Sequence, residues 1–454
     1  MTATLALLLA SCGGEAPSPN IVIVVMDTVR ADYTGPGGAD GEQLTPALNE
    51  LAGEGTVFTR TWANAPWTVP SHASMFSGLL PSTHGCNGRH FRFLSEEPTF
   101  AELLSRSGYR TAAFFSNPWL SDRLTGMLRG FDERLVESGG GTSILAEVDQ
   151  GGSRTVANIA SWLTERKDQR PFLMFVNLLE PHLPFHPPDD YRREYLSDIP
   201  ADYVVTTSMA HRLNAGLADE TSMDFERIGR MYGGDVNTAD RYLAEIIRLL
   251  KEHGLYEDAV IVVTSDHGEN LGDHGYMDHQ FGVFATLIDV PLVVRAPALL
   301  PPGERDDPVM LTDVYDTVLD VAGIEGGPDT PHSRSLLAKP AEAARPQIAE
   351  YTGANPELVR HLRSINPAHD TARQEVAFAK VRVDSLEYTV GTDGSERLFN
   401  LNTDPRRESN LATVEPTVAA ALFELLPAIR RGESVEVEID EEMREWLRSL
   451  GYMQ

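Results

Sequence analysis

Three short apolar runs in the chain break off at polar residues able to do chemistry. Ile21-Val22-Ile23-Val24-Val25-Met26 ends at Asp27. Residues 172–179 lead into Glu180-Pro181-His182, and residues 259–264 lead into Ser265-Asp266-His267. Apolar runs of this length, rich in β-branched residues, predict buried strands of a largely parallel sheet. Helical spacing lies between them. Over residues 238–252 the apolar positions are Tyr242, Leu243, Ile246, Ile247, Leu249 and Leu250, and Gly254 stops the pattern. Residues 46–52 and 99–107 also predict helices. Alternating strand and helix implies an α/β fold, doubly wound, with a mostly parallel central sheet flanked by helices. In that architecture ligands bind beyond the carboxyl ends of the strands. All three polar endings fall there. From about 327 to 380 the chain is richer in Pro, Ala and charge and shows no clear strand. Residues 381–390 and 397–401 predict short strands of a smaller C-terminal α+β subdomain, and residues 440–450 predict a closing helix. The expected organisation is a leader and linker at 1–19, a catalytic domain at 20–326 and the subdomain at 327–454.

Composition narrows the functions open to this fold. A chain of 454 residues, 42% hydrophobic, is long enough for one large domain and a smaller one. The formal net charge of −29, from 38 basic and 67 acidic residues, repels phosphate backbones and excludes a nucleic acid partner. An anionic substrate must then be drawn in by local positive charge, such as a metal. The two cysteines, Cys12 and Cys86, exclude a disulfide framework. Leu9-Ala10-Ser11-Cys12 follows a short apolar stretch and resembles a bacterial lipobox, although no Lys or Arg precedes it. That likeness implies cleavage before Cys12, a lipid anchor on it, and a place at the bacterial cell envelope, on the periplasmic or extracellular face. No other stretch is long and apolar enough to span a bilayer.

Two constellations carry chemistry. Asp266-His267-Gly268-Glu269 is followed by Gly272-Asp273-His274-Gly275. An Asp-His pair at a strand end offers a carboxylate oxygen and an imidazole nitrogen to a divalent cation, with Asp27 at another strand end as a third ligand. Gly268 would let the backbone turn sharply away. The second constellation is Pro66-Trp67-Thr68-Val69-Pro70-Ser71-His72-Ala73-Ser74-Met75-Phe76-Ser77-Gly78. Pro70 and Ser71 suit a helix start and Gly78 its end, which puts Thr68 just before free N–H donors that favour a tetrahedral anion. On this segment alone, Thr68 reads as a helix cap.

Joined in order, these segments resemble the sulfatase family of the alkaline phosphatase superfamily. Asn20-Ile21-Val22-Ile23-Val24-Val25-Met26-Asp27-Thr28-Val29-Arg30-Ala31-Asp32 is similar to the family's opening strand. Thr68-Val69-Pro70-Ser71-His72-Ala73-Ser74 is similar to the C-x-P-S-R-A-S signature, with Thr for Cys and His for Arg. Ser265-Asp266-His267-Gly268-Glu269 matches its later metal motif, and Leu398-Phe399-Asn400-Leu401-Asn402-Thr403-Asp404-Pro405 its C-terminal segment. The resemblance implies one divalent metal ion (Mn2+, Zn2+ or Ca2+) held by Asp27, Thr68, Asp266 and His267, with Thr28 where a second Asp is usual. It puts Thr68 in the place of the formylglycine nucleophile, with no formylglycine expected. His182 and His279 are expected beside the transferred group and leaving oxygen, His72 as the residue orienting position 68, and Asn117 as a contact to the substrate anion. The implied reaction is hydrolysis of an anionic sulfate or phosphate ester, phosphodiesters included, by metal-bound Thr68. The rivals are an envelope phosphoglycerol- or phosphoethanolamine-type transferase and a non-catalytic lipoprotein of the same fold. Loops within 189–231 and 327–380 are expected to meet the substrate.

Overall fold

The computed structural model describes residues 18–37, 43–136, 150–219, 221–325, 330–340 and 345–427. The lipobox at Cys12 and the expected helix at 440–450 lie outside the described residues. Eight strands form the central sheet: β1 (Ile21–Met26), β2 (Thr56–Phe58), β3 (Arg110–Phe115), β4 (Glu133–Val136), β5 (Phe172–Leu178), β6 (Val260–Thr264), β7 (Leu292–Arg295) and β8 (Gly303–Arg305). Their order across the sheet is β8-β2-β7-β6-β1-β5-β3-β4. Only β7 runs against its neighbours β6 and β2; the other pairs are parallel. The fold is therefore the mixed, mostly parallel α/β sheet that the apolar runs predict.

β1 shows why those runs lack alternation. All six of its residues are buried. Ile21, Ile23 and Val25 face one core with Val69 and Phe76 of the helix Thr68–Ser77 and Val314 and Val318 of the helix Asp313–Val321. Val22, Val24 and Met26 face a second core with Leu48 and Leu51 of the helix Pro46–Glu54 and with Tyr232, Val236 and Leu243 of the helix Phe225–Glu252. Each buried aliphatic side chain contributes roughly 1.5–3 kcal/mol, so both faces of such a strand must be apolar.

The helix Phe225–Glu252 has 28 residues and begins well before residue 238, where the sequence pattern starts. The sequence hides its first half behind Gly233-Gly234 and two acids, Asp235 and Asp240, all buried. Both glycines are close-packed; a Cβ on Gly234 would lie 2.6 Å from the Pro187 side chain. Asp240 accepts the Ala47 and Leu48 N–H groups at 2.8 and 2.9 Å and so caps the neighbouring helix Pro46–Glu54.

Beyond the sheet lies a four-stranded antiparallel unit: β9 (Gln347–Tyr351), β10 (Phe378–Val383), β11 (Leu386–Gly391) and β12 (Glu396–Asn400), paired in chain order. Two expectations change here. The segment read as strandless contains β9, whose Gln347 and Glu350 are buried polar residues in a five-residue strand and mask its pattern. The single strand expected at 381–390 is two strands, broken at Asp384 with φ 54°. Ile348, Val381, Tyr388 and Leu398 pack this sheet against Trp62, Leu287 and Met310 of the larger unit.

Candidate active site

Four adjacent strands, β6, β1, β5 and β3, deliver polar side chains to one edge of the sheet. β1 delivers Asp27, β6 delivers Asp266 and His267, β5 carries Asn177 in register with Val25, and β3 is followed by Asn117. Every one of these side chains is buried. The helix Thr68–Ser77 points its start at the same place. Thr68 is its first residue rather than the one before it, with Trp67 at the cap position, and all ten helical residues are buried. The Ser71 hydroxyl donates to the Asp266 carbonyl at 2.6 Å, which ties this helix to the end of β6.

Asp27, Asp266 and His267 offer ligand atoms that all lie within 4.8 Å of one another. His267 Nδ1 donates to the Gly268 carbonyl at 2.9 Å, so Nε2 faces the cluster, 3.2 Å from Asp266 Oδ2 and 3.9 Å from Asp27 Oδ1. Those two carboxylate oxygens are buried and accept no hydrogen bond. Two such oxygens cost several kcal/mol unless a cation meets them. Burial, and then the charge of Asp266, push the Asp27 carboxyl above its usual range. Burial also opposes ionisation of Asp266, but His267 and His72 hold its carboxyl well below that range. Two hard oxygens and one imidazole nitrogen fit a divalent cation.

Thr68 Oγ1 lies 3.4 Å from His267 Nε2, at the rim of this cluster. The Asn117 amide donates to Asp27 Oδ2 at 2.8 Å and to Thr68 Oγ1 at 3.4 Å, bridging the carboxylate and the hydroxyl. Asn177, which the sequence reading missed, donates to the same Asp27 oxygen at 2.9 Å. Its one signal was being the sole polar residue between 172 and 179. His72 reaches the Thr68 backbone carbonyl at 2.9 Å and Asp266 Oδ2 at 3.4 Å, not the Thr68 hydroxyl. Thr28 is buried with φ 60°, a left-handed conformation that is strained for a β-branched residue. Its N–H donates to Asp266 Oδ1 at 3.2 Å, and its carbonyl accepts the Tyr232 hydroxyl at 2.7 Å, which together hold the turn in place. Gly268 serves by close approach: a Cβ there would lie 2.1 Å from the Thr286 carbonyl oxygen.

His279 and His182 flank the cluster. The His279 ring centroid is 4.5 Å from that of His267 and 5.1 Å from that of His182. His279 Nδ1 lies 2.9 Å from Asp278 and 3.5 Å from Glu269. Burial alone would lower the His279 pKa, but Asp278 and then Glu269 raise it well above its ordinary value. Burial pushes Glu269 up to about 7. Burial, helped by His279, pushes His182 down to about 3, and His182 Nδ1 donates to the Leu183 carbonyl at 2.8 Å. The expected site residues Asp27, Thr68, His72, Asn117, Asp266 and His267 thus meet in one buried constellation, with His279 and His182 in ring contact at its side.

The family model for Sulfatase matches residues 19–324, and the chain belongs to the sulfatase family. Arylsulfatase K of Bos taurus is 24% identical over 96% of this chain and 86% of its own length. Among solved structures, the phosphonate monoester hydrolase of Agrobacterium radiobacter superposes with a TM-score of 0.67 at 21% identity, covering 90% of this chain and 94% of its own. BT4656, solved with its substrate D-glucosamine-2-N,6-O-disulfate, superposes with a TM-score of 0.69 at 18% identity, covering 96% and 98%.

Proposed function

We propose that the protein hydrolyses an anionic sulfate or phosphorus ester with the Thr68 hydroxyl as nucleophile beside a divalent cation held by Asp27, Asp266 and His267. The observation that carries this reading is the Thr68 hydroxyl at the head of a buried helix, 3.4 Å from His267 Nε2 and bridged by Asn117 to Asp27. When bound, the cation supplies Lewis-acid polarisation, which lowers the pKa of a neighbouring hydroxyl and stabilises charge on the transferred group. The chain's own residues do the rest. Asn117 holds Thr68 Oγ1 in line with the cluster, and the helix start presents N–H donors to the oxygens of the transferred group. Thr68 Oγ1 would give up its proton to solvent and bond to phosphorus or sulfur as the ester bond to the leaving oxygen breaks. His279, oriented by the Asp278 carboxylate at 2.9 Å, gives the leaving oxygen its proton. His279, left neutral by that step, accepts the proton of the water that then releases the group from Thr68, while His182, its Nδ1–H donated to the Leu183 carbonyl at 2.8 Å, packs against the His279 ring.

The threonine bears on the ester type. A formylglycine hydrate expels sulfate by collapsing to the aldehyde. A threonine ester has no such exit and must be attacked at the central atom, which in-line displacement at phosphorus accomplishes readily. Sulfate esters, the substrates named for Arylsulfatase K, and phosphonate monoesters, those named for the Agrobacterium radiobacter hydrolase, are the classes to compare first. Metal-reconstituted protein and Thr68→Ala, assayed side by side on aryl sulfate, aryl phosphate, phosphodiester and phosphonate esters, test the reading. Turnover of one class that depends on metal and is lost in Thr68→Ala supports it; turnover that survives Thr68→Ala sinks the nucleophile. We also place the protein at the cell envelope through a lipid on Cys12. Metabolic labelling with a fatty acid that Cys12→Ala abolishes is the expected result, and unchanged labelling would remove the anchor.

A further inference from the structure

The ribbon that leads to His279 is strained and is braced from outside. Asn270–Leu271 and Met277–Asp278 pair as a two-stranded antiparallel ribbon, joined through the Gly272-Asp273-His274-Gly275 turn. His267 lies three residues before this ribbon and His279 directly after it. The ribbon therefore sets how the two imidazoles face each other, with ring centroids 4.5 Å apart. A two-stranded ribbon is marginal on its own. Two residues that bracket His279 are also left-handed, Asp278 at φ 77° and Phe281 at φ 74°. Residues with a Cβ rarely keep that backbone region unless the surrounding structure holds them there. In this conformation the Asp278 carboxylate folds back to accept the His279 N–H at 2.6 Å and to meet His279 Nδ1 at 2.9 Å.

Asn214 holds the second strand of the ribbon. It is the last residue of the helix Thr207–Asn214 and is buried. Its amide donates to the Met277 carbonyl at 2.9 Å, and its Oδ1 accepts the Met277 N–H at 3.0 Å. One side chain thus takes both backbone groups of a residue two places before His279, as a third strand would. Asn214 is fixed in turn by the smaller unit. The Gln374 amide donates to the Asn214 carbonyl at 2.6 Å and the Asn366 amide to the Ala215 carbonyl at 2.7 Å, which satisfies carbonyls left open at the helix end. Ala215 and Phe281 share a small apolar cluster with Leu358, Val359 and Leu362 of the helix Pro356–Ile365. At the turn, Asp273 accepts from Arg30 at 2.7 Å, so the turn and the second strand are both tied down.

We propose that Asn214 is a positioning residue for His279, setting the ring at the distance and tilt from His267 that proton delivery to the leaving oxygen needs. It acts through the Met277-Asp278-His279 backbone rather than by contact with the ester. Without its amide nothing on the helix holds Met277, and the two left-handed residues that bracket His279 relax toward the extended region and swing the ring. A misplacement of about 1 Å at a reacting group costs on the order of 10²-fold in rate. The link to turnover rests on the hydrolase reading; the placement of the ring does not.

The test sets Asn214→Ala beside the natural protein on an alkyl ester and a p-nitrophenyl ester of whichever acid it turns over. The expected result is a fall in kcat of about tenfold or more on the alkyl ester and of less than about threefold on the p-nitrophenyl ester, whose leaving group needs no proton, with little change in KM for either. A side chain that only supports the fold would lower both rates together, so equal losses on the two esters overturn the proposal, as does unchanged turnover of the alkyl ester. Adding Asn214→Ala to His279→Ala should cost no more than His279→Ala alone, and losses that multiply would also overturn it. Asn214→Asp, which keeps the acceptor for the Met277 N–H, shows the same pattern with a smaller loss and carries the test if Asn214→Ala does not fold. If the natural protein turns over neither ester, the hydrolase reading fails, and crystal structures of the natural protein and the variant still decide the positioning. A His279 ring displaced from His267 upholds it, and a ring that keeps its 4.5 Å spacing refutes it.

Discussion

At Thr68, substitution separates chemistry from folding. Thr68→Ala removes one hydroxyl whose contacts are both 3.4 Å long, so its melting temperature stays close to that of the natural protein while kcat/KM falls roughly 10³-fold or more. Thr68→Ser, which keeps the oxygen, retains measurable turnover; an inactive Ser variant would argue that the γ-methyl or another group acts. His279→Ala and Asp278→Asn make a sharper pair. If His279 protonates the leaving oxygen, both lower kcat by about 10²–10⁴-fold for alkyl esters and far less for p-nitrophenyl esters, whose leaving group needs no proton. Equal losses on the two ester types would remove His279 from that role. The side chains that ended an apolar run or sat in a motif, Asp27, Thr68, Asp266 and His267, were legible in the sequence. Asn177 was not, because its role depends on the register that sets it beside Val25, and a register between strands whose starts lie 151 residues apart leaves no local trace.

Among the elements, the strands were easier to read than the long helix, and the reason lies in what each buries. β1, β5 and β6 bury both faces, and apart from Asn177 and Thr264 they are apolar throughout. The helix Phe225–Glu252 buries Asp235, Asp240 and two glycines within its first sixteen residues, so its pattern breaks just where it meets other elements. Asp240 gives this helix a measurable signature. Burial raises its carboxyl to about 6, against which the Ala47 and Leu48 N–H groups work. A carboxyl raised on folding favours the folded state as it gains its proton. Its contribution therefore grows as pH falls from about 6 toward 4 and is absent above that window, on the order of 3 kcal/mol in all. Asp240→Asn should flatten that segment of the stability curve in urea titrations between pH 7 and 4.5. A variant curve parallel to that of the natural protein would mean that Asp240 is not the group responsible.

Over the whole molecule, the buried carboxylates should tie stability to a divalent cation, if the proposed site holds one. Chelation should lower the melting temperature by a few degrees, and Mn2+, Zn2+ or Ca2+ should restore it, since a ligand at a hundredfold its Kd adds about 2.7 kcal/mol. Asp27→Asn should show no such shift; a full metal response in that variant would place the ion elsewhere. The mostly parallel sheet and the existence of a small second unit could be read from the sequence, but the brace on His279 could not. Asn214, Met277 and Gln374 share no motif and are brought together only when the two units pack. The sheet order has one further consequence. β1 is the first strand among the described residues but lies at the centre, and its partners β5 and β6 begin 151 and 239 residues later. At synthesis rates of about 5–20 residues per second, a strand of six fully apolar residues leaves the ribosome roughly 12–48 s before its second neighbour exists. During that interval it is an open β edge able to pair with other chains, so productive synthesis calls for something that shields Ile21–Met26 until β6 arrives.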